Sequence, residues 1–141
     1  MMHAIPHAVF LHVEADSRDA GILSDALARV TRNIRIRRVS AAETALELIS
    51  ESGEGGPPFD CVMTSLCLPG LDGAGLARRL RQRFDAATLP VFGLTRDTPA
   101  ATPESDWFDA VFQKAGDVRG ILPAASAIVD LWFTQARRFH C

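Results

Sequence analysis

Four short stretches carry residue types that could do chemistry together. Glu14-Ala15-Asp16 offers carboxylates, Ser65 and Thr95 offer hydroxyls, and Lys114 offers an ammonium. Lys114 stands out because the chain has one lysine against fourteen arginines. Carboxylates hold hard cations such as Mg²⁺. Ser65 is a weak nucleophile unless a base activates it. Its context, Met63-Thr64-Ser65-Leu66-Cys67, is no GxSxG elbow, and no histidine falls at a strand end beside it. Ser65 therefore reads as a hydrogen-bonded turn serine. His3, His7, His12 and His140 show no metal-ligand spacing and read as surface or edge residues. Cys61, Cys67 and Cys141 form no CxxC, so neither a disulfide framework nor a zinc site is expected, and a reducing cytoplasm is the default.

Those stretches fall at the ends of strands. Ala8–Val13 is apolar and β-prone, a first strand, and 18–31 then places Ile22, Leu23, Leu27 and Val30 on one helical stripe. Ile34–Val39 alternates with period two and reads as a half-exposed edge strand, with Arg35, Arg37 and Arg38 solvated. Ser40 with Glu43 spells a capping box for a helix carrying Ala42, Ala45, Leu46 and Ile49. The glycines and prolines of 51–58 make a loop. Cys61–Thr64 is a buried central strand, and 68–73 a turn-rich loop. A helix over 74–84 has Leu76, Leu80 and Phe84 on one face, and Pro90–Thr95 is a strand. The segment 96–109 contains Pro99 and Pro103, so any helix there is brief or irregular. Ala110–Gln113 is a fifth strand, and a last helix runs over about 120–138 with Pro123 near its first turn.

The pattern is (βα)₅, a single doubly wound α/β domain with a parallel sheet and helices on both faces. Its site belongs in the crevice at the carboxyl ends of the strands. The 141 residues suit one domain, with a core over about 7–138. A net charge of −2 argues against a nucleic-acid binder. No apolar run is long enough to span a bilayer, and 1–16 does not read as a signal peptide.

Several motifs in order resemble the receiver domain of two-component response regulators. Phe59 to Gly73, with its LPGLDG turn, looks like that family's third strand and following loop. Pro90–Thr95 looks like its fourth strand ending in a switch threonine, and Lys114 stands where it has its lone site lysine. The resemblance implies a five-stranded sheet of order 2-1-3-4-5. It also implies an aspartate after strand 3 that takes a phosphoryl group from a histidine kinase, and acidic residues after strand 1 that hold Mg²⁺. This chain departs at the centre. Ser65 stands at the acceptor position and Ala15 at the second acidic position, with Glu14 matching the first; Val111 replaces the aromatic switch residue and Ala115 the proline after the lysine.

A carboxylate is ionised and nucleophilic at neutral pH; a serine hydroxyl is not. Loss of two carboxylates should leave Mg²⁺ weakly held or unbound, and no other cofactor is expected. The reading is therefore a pseudo-receiver that is not an enzyme and signals through protein contacts without phosphorylation. The alternatives are a ligand-binding or enzymatic flavodoxin-like module, disfavoured because no Gly-rich loop follows strand 1, and a receiver phosphorylated at another acid, Asp16 being the candidate. Lys114 is expected to pair with Glu14. On the last helix, Ala125, Val129, Trp132 and Ala136 face the sheet, and the apolar arc spans about 200°, wider than the roughly 100° that one buried face needs. Ile128 and Leu131, extended by Trp107 and Phe108, are expected to be exposed as a homodimer or partner face.

Overall fold

The computed structural model describes residues 5–51, 55–99 and 106–139, the last four by backbone alone. His3, Pro103, His140, Cys141 and the side chain of Ala136 lie outside the described residues. The strands are β1 (Ala8–Val13), β2 (Ile34–Val39), β3 (Cys61–Ser65), β4 (Val91–Thr95) and β5 (Ala110–Gln113), and the helices α1 (Ser17–Val30), α2 (Ala42–Ser50), α3 (Gly73–Arg83) and α4 (Val118–Phe139). All strand pairs are parallel, in the order β2-β1-β3-β4-β5. Fold class and strand order are those expected, and strand positions agree to within a residue.

Strand alternation divides the core into two layers. Phe10, Met63 and Phe92 point to the side that α1 and α4 cover, where Leu27, Ile121, Ile128 and Trp132 meet them. Leu11, Val62 and Val91 point to the other side, against Ala45 and Ile49 of α2 and Leu76 and Leu80 of α3. β3 is buried along its whole length, as a central parallel strand must be. β2 at the edge alternates half-buried and exposed residues.

Several local readings need correction. Ser40 does not cap α2: the cap residue is Ala41, which makes no side-chain bond. Glu43 instead accepts from Leu71 N at 3.0 Å, fastening α2 to the loop after β3. Gly70 in that loop has φ +79°, and Gly73 passes so close to β3 that a Cβ would lie 2.1 Å from Ser65 O. Those glycines are backbone requirements of the turn. α4 begins earlier than expected, capped by Asp117, whose Oδ1 accepts from Gly120 N at 2.7 Å. Pro123 therefore sits in the second turn and removes one bond to Arg119 O.

Ile128 is fully buried and Phe108 nearly so. The helical arc misled because α4 packs on α1 as well as on the sheet, so two neighbours share its apolar surface. Phe108 and Trp107 pack in the opposite layer, with α2 and α3, and Arg78 lies over the Trp107 ring. Leu131 alone of the four is an exposed large hydrophobic, at 40%.

His12 is not a surface residue. It lies inside β1, 1% exposed, on the same side of the strand as Phe10. Burial, then the charges of Lys114 and Arg38, push its pKa down to about 4 against a smaller opposing effect of Asp19; Glu14 is a further acidic neighbour, lining a small cavity with the ring. The unfolded ring takes a proton below about 6.5, the folded ring only below about 4, so this part of the stability is complete above pH 6.5 and lost as pH falls toward 4. At pH 5 the loss is about 2 kcal/mol. Urea unfolding at about pH 7.5 and about pH 5 should show the native chain losing roughly that much more than His12→Leu; equal losses would count against a buried neutral ring.

Candidate functional site

The carboxyl ends of the strands converge as the chain order requires. Glu14, Ala15 and Asp16 follow β1, Ser65 ends β3, Thr95 ends β4 and Lys114 follows β5. All six line one cavity of about 400 Å³, together with Asp19, Cys67, Arg96 and Asp97.

Lys114 is placed by backbone. Its N–H continues the parallel ladder to Thr95 O at 2.7 Å. Its Nζ then reaches Glu14 Oε1 at 2.7 Å and Asp19 Oδ2 at 3.2 Å, and all three side chains are largely buried. The expected pair with Glu14 is present. Asp19 is a second partner that the sequence reading missed. It sits in the first turn of α1, where an acid also suits the helix end. The signal was available: Asp19 lies three residues after the cap Asp16, one turn from the strand end.

Glu14 is 2% exposed. Its Oε2 accepts from Asp16 N at 3.2 Å. Asp16 is exposed and caps α1, its Oδ1 accepting from Asp19 N at 3.0 Å. That N–H is the main cause holding the Asp16 carboxyl below the usual range. Arg38 clamps the same loop: its Nε and Nη2 donate to Glu14 O at 3.0 and 2.9 Å, and Nη2 to Ala15 O at 3.2 Å. Arg38 is thus not simply a solvated edge residue.

Ser65 is buried, and its hydroxyl donates to Cys67 O at 3.2 Å, as a turn serine does. Thr95 Oγ1 accepts from Asp97 N at 3.1 Å. Val111 is half-buried against the α2–α3 layer. Four carboxylates face this cavity against two cations, Lys114 and Arg96. For Mg²⁺ the donor set is poor. Ala15 presents a methyl, the Ser65 hydroxyl is turned to a carbonyl, and the carboxylates of Glu14 and Asp19 are engaged by an ammonium.

No family model and no curated protein matches the chain. Solved structures do. A response regulator in red light signaling of R. palustris superposes with a TM-score of 0.74 at 26% identity, over 92% of this chain and 96% of that one. The phosphorylated cyanobacterial phytochrome response regulator RcpA gives 0.74 at 19% identity over the same shares. A response regulator receiver domain from Methylobacillus flagellatus gives 0.65 at 22%, over 86% and 98%. The chain has the response-regulator receiver fold. The match spans most of both chains in each comparison.

Removing one partner from a buried pair strands the other charge. Lys114→Met should therefore cost about 3–5 kcal/mol, measured by urea unfolding. Arg96→Ala, which frees an ion pair that is 64% exposed on the arginine side, should cost under about 1 kcal/mol. Similar losses for both would show that Lys114 is not the holding charge.

Proposed function

We propose that this receiver-fold protein is a signalling module of the cytoplasm that acts through protein–protein contact and is not phosphorylated at its strand-end pocket. One observation carries the reading: the residue ending β3, where the resemblance puts the acceptor aspartate, is Ser65, with its hydroxyl bonded to Cys67 O. That hydroxyl is turned to a backbone carbonyl, and an incoming phosphoryl group would meet an excess of carboxylates. Asp16 is a poor substitute acceptor because its carboxylate caps α1. The same acidic lining disfavours a phosphate-bearing cofactor. Among the described residues no helix is long and apolar enough to cross a membrane.

Incubation with acetyl phosphate and Mg²⁺ followed by intact mass measurement should show no added phosphoryl group. A stoichiometric adduct, stable to acid and labile to alkali, would overturn the reading. Ser65→Asp alone should restore little, since Ala15 still withholds a metal ligand, whereas Ser65→Asp with Ala15→Asp should recover Mg²⁺ binding by calorimetry.

The partner face enters the proposal in reduced form. Leu131 on α4 is exposed and Trp107 half-exposed across the half-buried edge strand β5. Self-association through this face should appear in sedimentation velocity at micromolar concentration and disappear in Leu131→Glu. A native chain that stays monomeric would remove the homodimer from the proposal.

A further inference from the structure

A second, smaller cavity shares Glu14, Asp19 and Lys114 with the strand-end pocket and is not lined by Ser65. Its polar lining is His12, Glu14, Asp19 and Lys114, and Leu23 and Ile121 are among the residues that complete its wall. Its volume is about 10 Å³, room for about one water molecule.

Two sets of hydrogen-bonding groups are left over around it. His12 is 1% exposed, and neither ring nitrogen has a hydrogen-bond partner among the described residues. A neutral imidazole has one donor and one acceptor, and burying either unpaired is costly. Lys114 has three N–H donors, of which Glu14 and Asp19 accept two. The third has no protein acceptor among the described contacts.

We infer that this cavity is a binding site for a single buried water molecule, which accepts the third N–H of Lys114 and donates to the unprotonated ring nitrogen of His12. The chemistry of the walls excludes other occupants. A cation would meet the Lys114 ammonium, an anion would meet two carboxylates, and an apolar atom would leave both sets of polar groups unpaired. The space suits about one water molecule. A water has two donors and two acceptors, so its second hydrogen turns toward the carboxylates. Buried waters of this kind make about three hydrogen bonds to groups otherwise left unsatisfied. One water serves one ring nitrogen, and the site therefore fixes the tautomer of His12. In this arrangement His12 is a positioning residue for Lys114, reached through the water. The site stands whether or not Ser65 accepts a phosphoryl group, since the mass measurement above does not read it.

A crystal structure of the full chain at a resolution that shows ordered waters tests this directly. The expected result is a density peak within hydrogen-bonding distance of both Lys114 Nζ and one ring nitrogen of His12. An empty cavity, or a ring rotated onto a protein partner, overturns the inference. Imidazole ¹⁵N spectra of the native chain test it in solution. One nitrogen should carry the proton, and the other should be shifted upfield of a free pyridine-type nitrogen by the bond it accepts. A free-nitrogen shift would overturn the inference. Lys114→Met, if folded, should move that nitrogen toward the free value, and an unchanged shift would remove the lysine from the site. If the variant does not fold, the two measurements on the native chain decide.

Discussion

The ammonium of Lys114 lies between two buried carboxylates, 2.7 Å from Glu14 and 3.2 Å from Asp19. These three residues belong to the end of β5, the end of β1 and the first turn of α1. Neither strand pairs with the other, since β3 and β4 lie between them. The ion cluster is thus a strut across the carboxyl edge of the sheet, where the backbone ladder has stopped. A buried charge pair adds little net stability over an apolar substitute, but losing one member is severe. The cluster therefore specifies where the strand ends and α1 stand relative to one another, more than it raises the total stability.

The rest of the pocket is arranged around that strut. Arg38 reaches from the edge strand to hold the carbonyls of Glu14 and Ala15, so the loop carrying Glu14 is fixed on its backbone side as well. Asp16 caps α1 and so presents Asp19 one turn on. Across the sheet, Gly73 lets α3 start hard against Ser65, and Glu43 ties the same loop to α2. The LPGLDG turn is accordingly accounted for by backbone geometry alone, with no demand from phosphoryl chemistry.

Strand order, both core layers and the six strand-end positions were legible because they rest on period and position. Short apolar runs in a βα alternation leave few topologies. What escaped were contacts set by side-chain reach between distant elements. Asp19 counts as an ordinary helix-start acid until β5 brings Lys114 to it. Arg38 looks solvated until the loop after β1 folds back over it. Ile128 falls outside a single-face stripe, and only the packing of α4 on both α1 and the sheet buries it. His12 was misread for another reason. Its polarity suggested an exposed position, although the strand period places it with Phe10, facing α1. In a central parallel strand, position overrides residue type.

Charge balance connects the altered pocket to the intact scaffold. The resemblance implies a site lysine among several carboxylates and a bound cation. Ser65 and Ala15 stand where the resemblance implies two of those carboxylates. A lysine left in such a site without acids would be a buried cation at high cost. Here Glu14 and Asp19 supply two full negative charges to one ammonium, and Arg96 meets the remainder at the surface. The cation at the centre of the site is a side chain of the protein, and it engages Glu14 and Asp19. The strut between these strand ends is thus made of groups of the protein itself.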